Sequence, residues 1–239
     1  MINVDTSIFE RVETKYVLPK EKYNELLKVI GEHIEKDKYY FSTICNIYFD
    51  TDNYELVRNS IEKPVYKDKF RVRSYGVPKE NDKVFFEIKR KYKGTVYKRR
   101  VSASLLEVEE YLKTGKYPEK ANKQIMNEID YFFKMYDLKA KVFIAYDRYS
   151  YLEKDNSNFR ITFDQNIRSR TDDVKLEDGD KGNLLLDEGT CVMETKTLGA
   201  YPKWFVDAIS KLKIYPKSFT KYGNVYKNQI YKEGVISYV

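Results

Sequence analysis

Three consecutive segments with alternating charged and apolar residues limit the possible folds of this chain more than any other feature. They are Asp68–Tyr75, Val84–Lys91 and Val96–Ala103. Successive side chains of a strand point to opposite faces, so Arg71 and Arg73 share one face and apolar residues take the other. The segments predict an antiparallel meander with one charged face. That face could simply be exposed to water, as in many one-sided sheets. The pattern in the rest of the chain is needed to tell whether the charged face is solvent-exposed or has a function.

Five further segments follow the same alternating pattern, which brings the number of predicted strands to eight. They are Glu10–Val17, Thr43–Asp50, Val142–Tyr149, Phe159–Gln165 and Thr190–Thr197.

Apolar residues at helical spacing predict helices between the strands. Pro19 can open the first helix, whose apolar positions extend to Ile34 and which would contain His33, the one histidine. An acidic run from Thr171 to Gly189 predicts a loop. The other predicted helices are Asp52–Ser60, Ser104–Lys113, Glu119–Leu138, Pro202–Leu212 and a last one that starts at Pro216 and carries Lys217 and Lys221.

Composition sets the class of protein. With 239 residues, of which 42% are hydrophobic, the chain can fill one sizeable core, so we expect a single domain over residues 1–239. Lys and Arg number 44 against 37 Asp and Glu, and the net charge of +7 favours polyanionic partners. Cys45 and Cys191 fall in apolar strand patterns, as buried thiols of a reducing cytoplasm would. No signal segment or membrane-spanning helix is predicted, so we expect a soluble, cytoplasmic protein.

Eight antiparallel strands with helices packed on the outside predict an α+β fold whose sheet closes into a β-barrel tunnel. If the charged rows face inward, cations outnumber anions in the bore. Unpaired buried charge is costly, so such a bore must hold water and an anionic ligand. The apolar rows would then pack beneath the helices, which favours this orientation. The inward cations would be Arg11, Lys15, Arg71, Arg73, Lys89, Lys98, Arg100, Arg148, Arg160 and Lys196, and the anions Glu13, Glu87, Asp164 and Glu194.

A row of arginine and lysine side chains along a narrow bore suits a linear chain of phosphates. The arginine fork binds two phosphate oxygens at once, and lysine supplies a compact charge. Nucleic acid fits less well, because neither stacking aromatics nor a recognition helix is clearly placed. The carboxylates suggest a divalent metal that bridges protein and phosphate oxygens. Glu194 is the first candidate ligand and Glu13 and Glu87 follow, although each could instead pair with an inward Arg or Lys.

The opening segment Arg11-Val-Glu-Thr-Lys-Tyr16 resembles the R-x-E-x-K-Y start of the VTC (vacuolar transporter chaperone) polyphosphate polymerase domain, a branch of the triphosphate tunnel metalloenzymes. Other branches open with E-x-E-x-K, so Arg11 points to the VTC branch. Each motif is weak alone, but the set follows one order along nearly the whole chain. The further matches are Ile47–Asp50, Arg71–Gly76, Phe86–Lys89, Tyr146–Arg148, Phe159–Asp164, Met193–Lys196 and Lys217–Lys221.

The resemblance implies an eight-stranded tunnel that binds ATP and polyphosphate, or inorganic triphosphate, with Mn²⁺ or Mg²⁺. In the family, the terminal phosphate of ATP passes to a growing polyphosphate chain, mainly through positioning and charge neutralisation. By position, the resemblance implies that Glu194 is the metal ligand. The resemblance also implies these phosphate-binding residues: Lys15, Arg71, Arg73, Lys89, Lys98, Arg148, Arg160, Lys217 and Lys221. We add Arg100, because it shares the charged face of its strand with Lys98. We expect Lys89, Arg148 and Lys196 to act in catalysis.

The chain departs from the family at Lys91, near the place where fungal polymerases carry a histidine. It also shows no inositol-phosphate-sensing domain, and coupling of synthesis to transport would need a separate membrane partner. Two other functions stay open at this point. The same tunnel could hydrolyse triphosphate or a nucleotide, with water in place of the acceptor phosphate, or it could bind polyphosphate without catalysis.

Overall fold

The computed structural model describes residues 11–62, 64–93, 95–154 and 156–231, and it has an α+β fold built on a large antiparallel sheet. Among these residues no helix is both long and apolar enough to cross a membrane. The strands are β1 (Arg11–Leu18), β2 (Ile34–Asp50), β3 (Tyr66–Tyr75), β4 (Lys83–Tyr92), β5 (Thr95–Ser104), β6 (Lys139–Glu153), β7 (Asn156–Arg170), β8 (Asn183–Leu184) and β9 (Cys191–Leu198). The α-helices are α1 (Lys20–Ile30), α2 (Glu55–Ile61), α3 (Leu105–Thr114), α4 (Lys123–Tyr136), α5 (Lys203–Lys211) and α6 (Lys221–Val225), and a π-helical turn, Tyr226–Ile230, follows α6.

The order of hydrogen-bonded strands is β1, β9, β7, β6, β2, β3, β4 and β5, and β8 pairs with β7. Along this path, within the described part of the chain, no pairing joins β1 to β5. The predicted closed barrel is therefore not confirmed, whereas the large antiparallel sheet with its helices is. All eight predicted strands are present, although Glu10 lies outside the described residues. The short β8 lies in the acidic run that the sequence predicts as a loop.

The chain folds into two compact units, each assembled from separated stretches. The described residues of unit 1 lie within 11–42, 147–166 and 186–219. Those of unit 2 lie within 43–146, 167–185 and 220–231. The strands β2, β6 and β7 contribute residues to both units. A single domain over residues 1–239 stays a prediction.

In unit 2, the meander of β3, β4 and β5 buries its apolar rows against α3 and α4. Phe70 and Phe86 are fully buried and pack with Phe132 of α4 in one core cluster. Alternate positions of a strand share a face, so the intervening charged residues lie on the other face of the same strands. The helix α3 begins where predicted, because Ser104 and Glu107 form a capping box at its first turn.

In unit 1, the same parity governs β1, β9 and β7. The register sets Tyr16, Met193 and Phe163 side by side, and all three are buried. They pack in one cluster with Leu26 of α1 and Phe205 of α5. The alternate residues of these three strands are mainly charged, so unit 1 also has one apolar and one charged sheet face.

The prediction that Ile34 and His33 belong to the first helix is wrong. The helix α1 ends at Ile30, Gly31 follows it, and Ile34 begins β2. His33 lies in the turn, where its ring stacks on Trp204 with centroids 4.8 Å apart. Glycine is a poor helix residue, and the aromatic residues that follow Ile34 favour a strand, so the apparent helical spacing does not continue.

The prediction that the final helix starts at Pro216 and carries Lys217 is also wrong. The helix α6 begins at Lys221, and the segment before it is not helical. The backbone N–H of Lys217 donates a hydrogen bond of 2.8 Å to the carbonyl oxygen of Lys15 in β1. The backbone of Lys217 therefore pairs with a strand of the sheet, and the helix starts only at Lys221.

Candidate active site

A buried carboxylate in β4 collects basic side chains from its neighbouring strands in unit 2. The side chain of Glu87 is 1% exposed. Its Oε2 accepts a hydrogen bond of 2.7 Å from Nε of Arg71, and its Oε1 accepts one of 2.7 Å from Nε of Arg100. Nζ of Lys98 lies 3.0 Å from Oε1. We call these four residues the Glu87 cluster; both oxygens of its carboxylate are occupied by protein cations.

The cations of this cluster decide the protonation state of Glu87. Burial alone would raise the pKa of Glu87, but Arg71, Arg73 and Lys98 outweigh it and hold that pKa well below its ordinary value. Burial lowers the pKa of Lys98, although Glu87 opposes the shift. Glu87 is therefore a carboxylate at neutral pH, and its role here is to hold cations in place.

A second layer of polar groups fixes the two arginines of β3. Arg73 is 7% exposed; its Nε donates to Oδ1 of Asn46 at 2.9 Å and its Nη2 donates to the hydroxyl of Tyr146 at 3.2 Å. Nη1 of Arg71 donates to the hydroxyl of Tyr48 at 3.1 Å. The guanidinium planes are thus held on several sides, which reduces the entropy lost when they bind an anion.

The register of the meander places many cations on one face of the sheet. Glu87 lies directly opposite Arg71 on one side and Arg100 on the other. Two residues further along β4, and on the same face, Lys89 lies directly opposite both Lys69 and Lys98. We call this side of β3, β4 and β5 the cationic face. Its basic residues are Lys67, Lys69, Arg71, Arg73, Lys83, Lys89, Lys91, Lys98 and Arg100, and Glu87 is the one acidic residue of these three strands on this face.

A second carboxylate, in β9 of unit 1, has lysine neighbours. Glu194 is 9% exposed, and its Oε1 lies 2.7 Å from Nζ of Lys196. Its Oε2 lies 3.7 Å from Nζ of Lys15. Glu13 approaches the same two lysines, at 3.8 Å from Lys15 and 4.0 Å from Lys196. These four residues form the Glu194 cluster, in which two carboxylates share two lysines.

The electrostatics of the Glu194 cluster favour ionised carboxylate. Burial would raise the pKa of Glu194, but Lys196 and Lys15 outweigh it, with a further contribution from Arg148, and lower that pKa. Arg148 itself makes a bidentate contact with buried Asp164, at 2.6 Å and 2.8 Å. A bidentate pair of this kind sets the orientation of the guanidinium.

The two clusters differ in how well they suit a divalent metal. Hard cations such as Mg²⁺ commonly use one or two protein carboxylates and complete their shell with phosphate oxygens and water. Glu194 and Glu13 offer two neighbouring carboxylates. Lys196 lies at hydrogen-bond distance from Oε1 of Glu194, whereas the other lysine contacts of the pair are 3.7–4.0 Å long, so the pair fits such an ion. Glu87 does not fit, because Arg71 and Arg100 take both of its oxygens. No group of three or more His, Cys, Asp or Glu in the described residues is arranged to hold a metal by itself.

The structure brings several of the predicted residues together and leaves others apart. The Glu87 cluster gathers Arg71, Lys98 and Arg100, with Arg73 beside it, and the Glu194 cluster gathers Lys15, Lys196 and Glu13. Nζ of Lys221 lies 4.2 Å from the centre of the Tyr146 ring, which contacts Arg73. The remaining predicted residues lie elsewhere: Lys89 is exposed on the cationic face, Arg160 pairs with Asp37 at 2.6 Å, and Lys217 is exposed.

Sequence reasoning missed four residues at these sites. Asn46, Tyr48 and Tyr146 orient the arginines, and Lys69 adds a cation to the cationic face. Strand parity could have found Lys69, because it lies two residues before Arg71. Parity also places Asn46 and Tyr48 on one side of β2, but only the register sets them opposite Arg73 and Arg71.

Comparison with known proteins gives a family and a fold. The profile of the VTC domain matches residues 10–229. A proposed adenylate cyclase from Bacillus halodurans has a similar structure, with 14% identity, a TM-score of 0.53 and coverage of 93% of this chain and 96% of that one. A proposed adenylyl cyclase from Hippeastrum, described as having a dominant triphosphatase activity, is similar at 14% identity and a TM-score of 0.53, over 91% of this chain and 95% of that one. At such identity the likeness shows a shared fold. No curated protein matches the chain.

Proposed function

Because the chain belongs to the VTC domain family, we propose that it is a metal-dependent phosphotransferase that passes the γ-phosphoryl group of ATP to a polyphosphate chain. The observation that carries this proposal is the cationic face of unit 2, where one carboxylate stands among many lysines and arginines. Like charges placed directly opposite one another disfavour folding unless an anion offsets them. A chain of phosphates supplies closely spaced anionic oxygens along its whole length.

The family and the fold together indicate an enzyme of the triphosphate tunnel type, and the closed tunnel is part of our proposal. A tunnel excludes water from the reacting phosphates, which strengthens each cation–phosphate contact. The arginines of β3 are already held by neighbouring side chains, so little reorganisation is needed when phosphate arrives.

The proposed reaction is an in-line displacement. An oxygen of the chain-end phosphate forms a bond to the γ-phosphorus of ATP while the bond between that phosphorus and the β,γ-bridging oxygen breaks, and ADP leaves. Arg71 and Arg73 bind and orient phosphate oxygens, and Lys89 and Lys98 offset their charge. Catalysis of this class depends on positioning and charge neutralisation, which these basic side chains would supply.

A bound Mn²⁺ or Mg²⁺ would supply charge neutralisation to the phosphate oxygens, and Glu194, with Glu13, would hold it. Lys196 contacts Glu194 at 2.7 Å and so keeps that carboxylate ionised and oriented. We choose Glu194 and Glu13 over Glu87 because both carboxylate oxygens of Glu87 already accept hydrogen bonds from arginines.

The test is incubation of the purified protein with ATP and Mn²⁺ or Mg²⁺, with both polymer and free phosphate measured in one reaction. We expect a ladder of phosphate polymers on a gel and release of ADP in equal amount to phosphate incorporated. The Glu194→Gln variant should bind polyphosphate but make no polymer. A wild-type protein that consumes ATP without forming polymer would contradict the transferase assignment.

Hydrolysis is the second candidate, and the triphosphatase activity of the similar protein from Hippeastrum favours it. Water would replace the acceptor phosphate, while the phosphate-binding residues would stay the same. In the same assay this function predicts free phosphate and no polymer. A non-catalytic polyphosphate-binding protein predicts binding without any ATP turnover, and a binding assay with RNA tests our expectation that nucleic acid is not a substrate.

A further inference from the structure

Two aromatic residues lie beside the Glu87 cluster, at one end of the cationic face. Two residues before Glu87 in β4 is Phe85, directly opposite Arg73 in β3 and Ser102 in β5. Tyr75 lies two residues after Arg73, and alternate residues of a strand share a face, so Tyr75 is on this face as well. The ring centroids of Tyr75 and Phe85 are 5.8 Å apart, and the rings are nearly perpendicular, at 87°. We call these two residues the aromatic pair.

Arg100 connects the aromatic pair to the Glu87 cluster. The central carbon of its guanidinium lies 4.3 Å from the centre of the Phe85 ring. The same guanidinium donates a hydrogen bond to the hydroxyl of Tyr75. Its Nε also donates to Oε1 of Glu87 at 2.7 Å. One planar cation therefore contacts both rings and the buried carboxylate, which fixes the position of the aromatic pair relative to the cluster.

The ring of Tyr75 is open to solvent. Tyr75 is 53% exposed, whereas Tyr48 and Tyr146, which orient the arginines of β3, are buried. Tyr75 ends β3, and Gly76 follows it with a φ of +81°, which glycine adopts without strain. Apart from its neighbours in the chain, no atom of the described residues lies within 4 Å of the place where a side chain at Gly76 would begin. A planar ligand can therefore reach the Tyr75 ring from solution.

A ligand that joins an aromatic ring to phosphates would use both parts of this surface. Bases stack on aromatic side chains because every base has a π-face. Two residues of a strand span roughly 7 Å, which is the spacing along β4 between Phe85 and Glu87. The ribose of a nucleotide separates its base from its first phosphate by a comparable length. A nucleoside triphosphate can therefore place its base at the aromatic pair and its phosphates at Arg73 and Arg71.

We propose that Tyr75 and Phe85 form a nucleobase subsite, in which the base of ATP stacks on the exposed ring of Tyr75. Phe85 is a positioning residue, because it contacts both Tyr75 and the guanidinium of Arg100. The inference rests on the proposed function, since the subsite needs the triphosphate of the nucleotide at Arg71 and Arg73. It gives the bound nucleotide a direction: the γ-phosphate lies farthest from the aromatic pair, and the acceptor approaches from the opposite end of the cationic face.

Two exposed tyrosines of the meander provide a matched test. Tyr97 is 54% exposed, much like Tyr75, but it lies on the opposite face, directly across from Arg90. The dissociation constants of ATP and of inorganic triphosphate are measured by calorimetry for Tyr75→Ala and Tyr97→Ala, without divalent metal so that neither ligand is turned over. We expect Tyr75→Ala to weaken ATP binding about 10-fold and triphosphate binding less than about 2-fold. Tyr97→Ala should change neither.

The Tyr75→Phe variant separates the ring of Tyr75 from its hydroxyl. This variant loses the hydrogen bond to Arg100 and keeps the stacking surface, so it should retain ATP affinity within about 2-fold of the wild type. CTP is a second probe, because a purine covers more of an aromatic ring than a pyrimidine does. The wild type should bind ATP about 3-fold more tightly than CTP, and this preference should persist in Tyr75→Phe and disappear in Tyr75→Ala.

Equal losses of ATP and triphosphate affinity in Tyr75→Ala would overturn the subsite, because Tyr75 would then act only through Arg100. An unchanged ATP affinity in Tyr75→Ala, or an equal loss in Tyr97→Ala or Tyr75→Phe, would overturn it as well. In these cases the wild type still binds triphosphate, so only this inference fails. If the wild type binds neither ATP nor triphosphate, the proposed function fails with it.

Discussion

The two units arrange charge differently on similar antiparallel strands. In unit 1, the pairing of β1 with β9 places opposite charges across from each other: Glu13 is opposite Lys196, and Lys15 is opposite Glu194, although Arg160 of β7 is also opposite Lys196. In the meander of unit 2, Glu87 is opposite an arginine on each side, but Lys89, the next residue on the same face of β4, is opposite a lysine on each side. Cross-strand pairs of opposite sign stabilise a sheet, and pairs of like sign do the reverse. The β1–β9 pair of unit 1 therefore balances most of its own charge, whereas the cationic face of unit 2 keeps an excess of basic residues that suits an anionic ligand.

The same contrast separates the two buried glutamates. Glu87 is enclosed by guanidinium groups on both oxygens, so its carboxylate is used within the protein. Glu194 contacts lysines, one at 2.7 Å and one at 3.7 Å. Lysine offers a flexible point charge, whereas arginine offers a rigid fork that fills both lone-pair directions of a carboxylate. A carboxylate held by lysines is easier to share with an incoming metal than one held by arginines.

The largest expected effect is on turnover in Glu194→Gln. We expect turnover to fall about 1,000-fold, because the carboxylate that holds the metal is lost, while triphosphate affinity changes less than about 3-fold. Steady-state kinetics and calorimetric binding measure the two quantities. Glu13→Gln is the matched control, with an expected fall of about 10-fold. A larger fall for Glu13→Gln than for Glu194→Gln would show that Glu13, and not Glu194, is the main metal ligand.

The next effect is on folding in Glu87→Gln. Removing the shared negative charge leaves Arg71 and Arg100 facing each other across a neutral amide, and we expect the free energy of unfolding to fall by about 2–3 kcal/mol. Chemical denaturation measures it. Asp68→Asn, which removes a buried carboxylate of β3 on the opposite face with one arginine partner, is the control and should cost less. A Glu87→Gln protein as stable as the wild type would show that the cluster does not support the fold.

The pH dependence of stability follows from the lowered pKa of Glu87. A carboxylate whose folded pKa lies below its unfolded value contributes its full stabilisation above the unfolded pKa and loses it as pH falls through the folded one. Between about pH 5 and about pH 2 the wild type should therefore lose more stability than Glu87→Gln. Thermal unfolding across this range measures the difference, and parallel curves for the two proteins would contradict it.

A smaller effect is expected on ligand affinity in Arg73→Ala. Loss of a preorganised guanidinium should weaken triphosphate binding about 30-fold, because a charge-assisted bidentate contact is lost. Arg73→Lys should recover part of the affinity, since it keeps the charge and not the fork. Arg99→Ala is the control, because Arg99 lies on the opposite face and pairs with Glu128. Equal losses in Arg73→Ala and Arg99→Ala would mean that net charge alone governs binding.

The smallest effect is expected in Tyr48→Phe. Its hydroxyl contacts Arg71, and its ring stacks on Tyr222 with centroids 5.0 Å apart, so the variant loses one hydrogen bond and keeps the stacking. We expect triphosphate affinity to fall about 5-fold through a less fixed Arg71. Tyr222→Phe removes the hydroxyl that contacts buried Asp50, and it should lower the melting temperature without this loss of affinity. An unchanged affinity in Tyr48→Phe would remove its positioning role.

Local patterns predicted the elements more reliably than their ends. The alternation in β3, β4 and β5 identified all three strands and their buried faces, because side-chain parity depends only on the strand itself. The end of α1 was misplaced, since Ile34 fits helical spacing and a strand start equally well. The start of α6 was misplaced because the backbone of Lys217 pairs with β1, which is more than two hundred residues away in the chain.

By itself, the sequence determined which residues share a face within each strand, and therefore that basic residues would be concentrated on one side of the meander. Only the tertiary structure decided which charges meet: Glu87 between two arginines, Glu194 between two lysines, and lysine opposite lysine at Lys67 and Lys91. The reason is physical. Parity follows from the backbone of one strand, but register follows from how separate strands align, and a shift of a single residue would replace every one of these partners.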